Sequence, residues 1–304
     1  MSIEVKNITK LYGEQKALDS VSFEIKSGEV VGLLGPNGAG KSTMMKIITC
    51  FLPPTSGEVK VSGFDIYEQS MEIRKRVGYL PENNPLYIDM YVKEYLEFIA
   101  GVHKLGKSKK KRIEEIIEIT GLEIEMSKKI GALSRGYRQR IGLAQALIHE
   151  PEVLIMDEPT SGLDPNQLIE IRNLIKKIGK EKTVLLSTHI MQEVEAVCDR
   201  AIIIDRGKIV ADDSTENLHQ ISSGKDLVIV EFNKEISKSL LEGIEGVKSV
   251  KNIKENKWQI EASSKKDVRE EIFQFAVQKK LTVLSMNKEE QSLEKVFQSL
   301  TKKK

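Results

Sequence analysis

Apolar and polar positions are arranged in blocks over roughly the first 220 residues, with short β-branched runs separated by helix-length amphipathic stretches. The clearest apolar runs are residues 30–34, 153–156 and 184–187. This alternation predicts an α/β domain with a largely parallel core sheet. Two earlier strands, near residues 2–7 and 21–26, predict a separate antiparallel β layer.

The pattern changes twice further along the chain. From about residue 91 to residue 149 the strand signal disappears and three helical patterns follow one another, which predicts a helical subdomain inserted into the α/β domain. Residues 222–225 indicate a linker, and then the order strand, helix, two strands, helix, strand and final helix predicts a small, ferredoxin-like α+β domain. We expect a first domain over residues 1–222 and an accessory domain over residues 225–304.

Composition excludes several classes of protein. Lys plus Arg (47) nearly balances Asp plus Glu (45), so the net charge of +2 gives no reason to expect a nucleic-acid partner. No apolar run reaches the ~18 residues of a membrane-spanning helix, and the start of the chain lacks a secretory signal. Two cysteines without CxxC spacing fit a reducing compartment. These features predict a soluble, cytoplasmic protein.

A phosphate-binding loop is predicted directly after the apolar run at residues 30–34. Residues 35–42 fit the pattern G-x-x-x-x-G-K-[ST], with a helix expected from about Ser42. Lys41 would reach the β- and γ-phosphates, Ser42 would ligate Mg²⁺, and Thr43 would donate to phosphate. The residues expected to surround the phosphates are Gly35, Pro36, Asn37, Gly38, Ala39 and Gly40. A glycine-rich turn that binds nothing is the alternative, and the flanking strand and helix argue against it.

A second acidic site ends the apolar run at residues 153–156. Carboxylates at the carboxyl end of a strand lie where open α/β sheets bind ligands. Because neighbouring side chains on a strand diverge, Asp157 and Glu158 are expected to have different roles. We assign Asp157 to Mg²⁺, directly or through water, and Glu158 to the attacking water as general base.

The segment before this acidic strand resembles the ABC transporter signature, LSGGQ followed by QR. Residues 133–140 read Leu-Ser-Arg-Gly-Tyr-Arg-Gln-Arg, so Arg135 and Tyr137 depart from the family pattern. Ser134 and Gly136 keep the positions that, in the family, contact the γ-phosphate held by the opposite subunit. A plain helix N-cap is the alternative for this segment alone.

Other segments carry the same resemblance over about residues 1–220. Asp164 matches the family's D-loop aspartate, His189 the switch histidine that holds γ-phosphate and water, and Tyr12 the aromatic residue that stacks on adenine. Glu82 occupies the place of the usual Q-loop glutamine. A carboxylate can accept hydrogen bonds from metal-bound water, although it adds negative charge near the phosphates, so the resemblance implies that Glu82 contributes to the Mg²⁺ site and to coupling with the permease.

The resemblance implies an ATPase subunit that uses ATP and Mg²⁺, closes as a homodimer on ATP binding and drives a separate multi-span permease. Its location would be peripheral, on the cytoplasmic face of the inner membrane. The tail, including residues 292–297, is similar to ABC-2-type and drug exporter ATPases, and residues 80–87 most resemble the gliding-motility-associated subunit. The aromatic helical stripe in residues 91–102 is expected to be partly core and partly permease interface.

Two rival functions explain less of the sequence. Soluble ABC proteins that act on DNA or ribosomes usually carry two cassettes or a long coiled coil, and neither is present in this sequence. A P-loop kinase or GTPase would leave the signature-like segment and His189 unexplained, and there is no NKxD segment to bind guanine. A basic run at residues 104–112, with Ser108 as its expected N-cap, is interpreted as a solvated helix face, with contact to anionic lipid as the alternative.

Overall fold

The computed structural model describes residues 1–222, 227–262 and 267–289, which form two compact units, Met1–Thr215 and a second beginning at Glu216. Most of the expected linker, the predicted final helix and the exporter-like segment 292–297 lie outside the described residues. The domain limits at residues 222 and 225 remain our proposal. In the described ranges, no helix is long and apolar enough to cross a membrane.

The first unit contains two sheets and the helices that pack on them. Its strands are β1 (Ile3–Tyr12), β2 (Gln15–Ile25), β3 (Val30–Leu34), β4 (Ser56–Val61), β5 (Phe64–Asp65), β6 (Val77–Leu80), β7 (Val153–Asp157), β8 (Thr183–Thr188), β9 (Arg200–Asp205) and β10 (Lys208–Ser214). Its helices are α1 (Lys41–Ile48), α2 (Ser70–Arg76), α3 (Val92–Val102), α4 (Lys109–Thr120), α5 (Arg135–Leu147), α6 (Pro165–Gly179) and α7 (Met191–Val197). Helix α8 (Thr215–Ser222) begins at the end of this unit.

The central sheet has the strand order β10-β9-β3-β8-β7-β6. Strands β6, β7, β8, β3 and β9 pair in parallel, and β10 pairs with β9 in the antiparallel sense. Every residue of β3, β7 and β8 is buried, which explains why these strands are continuous apolar runs without alternation. Their carboxyl ends meet at one edge, and this edge carries the candidate site.

The predicted antiparallel layer is present, with the order β2-β1-β4-β5. Its strands β1 and β2 extend beyond the predicted ranges and form a hairpin in which Tyr12 pairs with Gln15. The expected α/β fold with a parallel core sheet and an antiparallel layer is confirmed. One continuous apolar core joins this layer to α1 and to the inner strands of the central sheet.

Helices α3, α4 and α5 lie between β6 and β7 in the chain and form the predicted helical region. Within the apolar stripe of α3, Tyr95 and Leu96 are buried, whereas Phe98 and Val102 are exposed. The expected cap of α4 is wrong in one respect. Ser108 occupies the N-cap position, but its hydroxyl donates to the carbonyl of Leu105 at 2.8 Å and caps no backbone N–H. The reason is the backbone of Ser108, which has a helical conformation (φ −79°, ψ −10°) instead of the extended one from which an N-cap oxygen reaches a backbone N–H.

The second unit is a small α+β fold. Its elements after α8 are β11 (Leu227–Phe232), α9 (Lys238–Glu242), β12 (Val247–Lys254), β13 (Lys257–Ala262), α10 (Arg269–Gln278) and β14 (Val283–Glu289). The antiparallel order β12-β13-β11-β14 is that of a ferredoxin-like sheet, as predicted. Its alternating buried positions, including Phe232 and Trp258, form a core of their own.

Candidate active site

The turn between β3 and α1 has a backbone that only glycine can follow at two positions. Gly40 has φ +109°, and a Cβ there would lie 2.6 Å from the carbonyl oxygen of Ala17. A Cβ on Gly35 would lie 2.4 Å from the carbonyl oxygen of Ile204. Both glycines therefore let the loop lie close against neighbouring backbone, so that its N–H groups and the start of α1 face one cleft.

This phosphate cleft has a volume of about 290 Å³. Its lining residues are Gln15, Ala17, Asn37, Gly38, Gly40, Lys41, Ser42, Thr43, Glu82 and Glu158. The structure thus brings most of the predicted phosphate-loop residues together with Glu158 and Glu82. Gly35, Pro36 and Ala39 are not among the lining residues, because they form the base of the loop, where Ala39 is buried.

Lys41 is buried at the start of α1, which places a cation below the cleft. Its Nζ donates to the carbonyl oxygen of Gly35 at 2.7 Å and to that of Pro36 at 3.3 Å. The same Nζ lies 3.3 Å from Oε1 of Glu158, whose side chain is equally buried. Since Oε1 has no hydrogen-bond partner, the ion pair with Lys41 is its main stabilisation in the described structure.

Glu158 also contacts His189, so it connects Lys41 at the start of α1 with a residue that follows β8. Oε2 of Glu158 lies 2.9 Å from Nδ1 of His189, which is half-exposed. The backbone of Glu158 has φ +49°, an unusual value for a residue with a Cβ. Its N–H is held by Ser187, with 3.2 Å to the carbonyl oxygen and 3.1 Å to Oγ. The β8 end therefore fixes the conformation that points Glu158 at Lys41 and His189.

Asp157 precedes Glu158 and takes a different position, as the alternation along a strand predicts. It is 2% exposed, accepts a hydrogen bond from Oγ of Ser187 and is not among the residues that line the cleft. Burial, and after it the carboxylates of Asp157 and Glu82, raise the pKa of Tyr79. Asp157 is thus buried next to the cleft residues, whereas Glu82 is exposed and lines the cleft.

Comparisons with known proteins identify the family to which this chain belongs. The sequence profile described as "ABC transporter" matches residues 18–161. The chain is 34% identical over 305 residues to the linearmycin resistance ATP-binding protein LnrL of Bacillus subtilis, with 98% of each chain covered. The chain belongs to the ABC transporter family of ATP-binding proteins. Its α/β fold, phosphate loop and acidic strand are those of an ATPase of that family.

Other relatives of this ABC ATPase agree. It is 39% identical over 222 residues to the ABC transporter ATP-binding protein NatA of Bacillus subtilis, covering 72% of this chain and 90% of that one. A solved dimeric ATP-binding cassette in a post-hydrolysis state, bound to ADP and Pi, is 31% identical, with a TM-score of 0.64 over 70% of this chain and 98% of that chain. The cbiO1 structure from Clostridium perfringens is 30% identical, with a TM-score of 0.65 over 73% of this chain and 95% of that chain.

In this ABC ATPase, the signature-like and D-loop residues lie outside the phosphate cleft. Ser134 caps α5 by accepting from the N–H of Tyr137, and Asp164 caps α6 by accepting from the N–H groups of Asn166 and Gln167. Nε2 of Gln167 also donates to Oγ of Ser134 at 3.4 Å. The predicted nucleotide-binding residues Ser134 and Asp164 therefore lie on a second surface of the chain, which we call the signature surface and which includes Arg135. Gly136, the third such residue, is buried against the side chain of Gln167.

Arg135, the departure from the family's first signature glycine, lies over the D-loop. Its guanidinium would be 2.5 Å from a Cβ on Gly162. Tyr12 is half-exposed at the end of β1 and does not line the cleft, although its hairpin partner Gln15 does. Glu82 lines both the phosphate cleft and a second cleft that includes Arg135 and Arg138.

Sequence reasoning missed three groups. Gln15 and Ala17 line the cleft because the β1–β2 hairpin folds over the phosphate loop, and only the pairing of Tyr12 with Gln15 could have indicated it. Gln167 connects the two caps of the signature surface. Glu193 is buried behind the site, and a charged residue within an otherwise apolar face of α7 was its only signal.

Proposed function

We propose that the chain hydrolyses ATP with Glu158 as the general base. The observation that carries this proposal is the contact of the buried Glu158 with both the buried Lys41 of the phosphate loop and the half-exposed His189. A carboxylate in this position can accept a proton from water, and the imidazole of His189 can hold both Glu158 and the terminal phosphate. The half-exposed ring of His189 is free to reach toward the cleft, whereas Glu158 is fixed by Ser187.

Lys41 changes partner in this proposal. A bound phosphate would attract the ammonium of Lys41 more strongly than one carboxylate does, because phosphate carries more negative charge. The ion pair between Lys41 and Glu158 would then weaken, and Oε1 of Glu158 would become available to water. Phosphate binding itself would thus prepare the base. The carbonyl oxygens of Gly35 and Pro36 keep the ammonium close to the loop throughout.

The residues at the cleft fit a magnesium ion carried by ATP. Mg²⁺ usually takes one or two protein oxygens and fills its other positions with phosphate oxygens and water. The Ser42 hydroxyl lines the cleft, Glu82 stands at its edge and Asp157 lies beneath it, so Asp157 would act through water. When bound, the ion neutralises charge on the β- and γ-phosphates. The chain's residues orient that ion and hold the water next to Glu158.

Hydrolysis in this proposal requires two copies of the chain. Ser134, Gly136 and Asp164 lie outside the phosphate cleft of their own chain, and Ser134 stands at the exposed start of a helix, where an anion is stabilised. A second copy, turned head to tail, would place its signature surface against the ATP held by the first. ATP binding would close the dimer and hydrolysis would open it. The related cassette with ADP and Pi was solved as a dimer.

We further propose that the dimer powers an ABC-2-type exporter by moving a separate permease. Exposed aromatic residues are the observation that supports a docking partner. Tyr91 and Phe98 are about half exposed, and Tyr87, also exposed, packs against Phe98 with ring centroids 5.7 Å apart. Such rings occur at protein interfaces more often than on free surfaces. The partner would hold the ATPase at the cytoplasmic face of the inner membrane.

The proposed direction, export, is supported by relatives named for bacitracin transport and linearmycin resistance. The narrower proposal of a gliding-motility transporter rests on residues 80–87 alone. Those residues include Glu82 and Asn84, and Asn84 donates to the carbonyl oxygen of Arg138 at 3.0 Å. This hydrogen bond to α5 gives Asn84 a structural role, so the segment does not by itself distinguish a gliding-motility transporter from a drug exporter. The identity of the permease would distinguish them.

The test is co-purification of tagged Glu158→Gln protein from detergent-solubilised native membranes in the presence of ATP. This variant should hold ATP and the closed dimer, and a multi-span membrane protein should come with it. The matched control is the double variant Glu158→Gln with Lys41→Ala. Recovery of the membrane protein with this variant should no longer depend on ATP. Recovery of ribosomes or DNA in place of a membrane protein would support the rival function of a soluble ABC ATPase and overturn the transporter proposal.

A further inference from the structure

Glu193 is a buried carboxylate that the proposed hydrolysis does not use. It lies in the first turn of α7 and is 2% exposed. A buried charge is costly unless other groups satisfy it, so its hydrogen-bond partners identify what it stabilises.

Those partners are two threonine hydroxyls from two different loops. Oγ1 of Thr160 donates to one carboxylate oxygen of Glu193, and Oγ1 of Thr188 donates to the other. Oγ1 of Thr188 also accepts from the N–H of Ile190 at 3.0 Å. Because each hydroxyl has its single proton committed to Glu193, both hydroxyls have a fixed orientation.

The two threonines stand next to the proposed catalytic residues. Thr160 follows Glu158 by two positions in the loop after β7, and Thr188 directly precedes His189 at the end of β8. Glu193 therefore connects the loop that carries the base with the loop that carries the histidine. Helix α7 lies close against β3. A Cβ on Gly32 of β3 would lie only 3.1 Å from Cγ2 of Val194 in α7.

We propose that Glu193 is a positioning residue that fixes the separation between Glu158 and His189 during hydrolysis. Resting on the proposed role of Glu158 as base, this inference adds a residue that acts without contacting substrate. Glu158 has a left-handed backbone conformation, which surrounding contacts must maintain. Ser187 holds the N–H side of Glu158, and the link from Thr160 to Glu193 holds the chain that leaves it.

The test compares Glu193→Gln in two backgrounds. In the otherwise unchanged chain, a neutral amide can accept from only one threonine, so kcat should fall roughly 10- to 100-fold, as for a small misplacement of reacting groups. KM for ATP and the affinity for a fluorescent ATP analogue should change less than about twofold, because the phosphate loop is untouched. In the Glu158→Gln background, the further loss should be less than about twofold.

An equal loss in both backgrounds would overturn the proposal, since Glu193 would then act independently of Glu158. A parallel loss of nucleotide affinity would show a general structural role and would also overturn it. Failure of the proposed function itself looks different, because Glu158→Gln alone would then keep near-normal turnover. Glu195→Gln, an exposed position on the same helix, is the matched control and should leave all rates unchanged.

A second pair of variants covers the case in which Glu193→Gln does not fold. Thr160→Val removes the hydroxyl with little change of shape, whereas Thr160→Ser keeps it. The account expects the valine variant to lose kcat with KM unchanged, and the serine variant to recover most of the rate. Equal rates in the two variants would contradict the role of this hydrogen bond.

Discussion

The phosphate cleft and the signature surface use polar side chains in opposite ways. In the cleft, Lys41 and Glu158 are buried and face each other across 3.3 Å. On the signature surface, Ser134 is exposed and Asp164 is largely so, and both accept hydrogen bonds from N–H groups of their own helices. One region is completed by groups within the chain, whereas the other presents capped helix starts to the outside.

This contrast indicates where the chain has a complete site and where it has half of one. Burying opposite charges is only tolerated when their geometry is fixed, so the cleft is pre-organised for an anion that can replace Glu158 beside Lys41. On the signature surface, by contrast, the cation Arg135 lies exposed over Gly162. Substitutions in the two regions should therefore separate nucleotide binding from turnover.

The largest effect is expected in the cleft, from Lys41→Ala. Removing the cation takes away a phosphate contact and leaves Glu158 buried without its counter-charge. Turnover should fall about 10²- to 10³-fold, and nucleotide affinity should fall with it. Steady-state ATPase rates and titration with a fluorescent ATP analogue measure both. Lys46→Ala, an exposed lysine on the same helix, is the control and should behave like the unchanged protein. Normal nucleotide affinity in Lys41→Ala would contradict the role of Lys41 as a phosphate contact in the cleft.

A smaller effect is expected on the signature surface, from Ser134→Ala. The variant loses the hydroxyl offered to a second copy and also an N-cap worth about 0.5–2 kcal/mol of stability. Turnover should fall about tenfold, while the affinity of the separate chain for ATP stays unchanged. Ser237→Ala, at the N-cap position of α9, is the control, since its side chain makes no cap bond. A loss of affinity in Ser134→Ala would place this residue in the cleft of its own chain.

The smallest effect concerns stability and lies outside both regions, at His149. Burial first, and then the charge of His103, lower the pKa of His149 to about 4. The two rings are stacked with centroids 4.0 Å apart. The folded chain keeps His149 neutral, whereas the unfolded chain takes up a proton below about pH 6.5. Stability from this site is therefore complete above pH 6.5 and is lost as the pH falls toward 4.

Thermal unfolding between pH 7.5 and 4.5 measures this contribution. The Tm of the unchanged protein should fall more steeply with acidification than that of His149→Gln, because the glutamine does not titrate. ATPase activity at pH 7.5 should be similar in the two proteins. Identical pH dependence of Tm would show that protonation of His149 does not limit stability.

The α/β fold and the cleft could be predicted from the sequence because their signals are local. A buried strand, a turn that requires Gly40 and a helix beginning at Lys41 are adjacent in the chain, and the strand that ends in Asp157 is a separate clear pattern. Parallel strands then bring these ends together without further information. The ferredoxin-like order of the second unit followed in the same way from its succession of strands and helices.

What the sequence could not show are contacts between distant loops. The link from Glu193 to Thr160 spans 33 positions, and the approach of Ala17 to the phosphate loop depends on how the antiparallel layer packs. Ser108 illustrates the reverse error. Its type and position suit a helix cap, yet its hydroxyl donates to the carbonyl oxygen of Leu105 and accepts from no backbone N–H of the helix. Local preference predicted an available role, but the helical backbone conformation of Ser108, continuous with the preceding 3₁₀ turn, is not the extended one that a cap requires.

The central claim is that Glu158 is the base within a cleft that binds ATP without needing Glu158 to do so. The most direct test measures ATP binding and turnover of Glu158→Gln together, with Glu152→Gln as a surface control. The account predicts that turnover falls at least about 10²-fold while ATP stays bound and the protein runs as a dimer in size-exclusion chromatography with ATP. Turnover near that of the unchanged protein would contradict the assignment of Glu158.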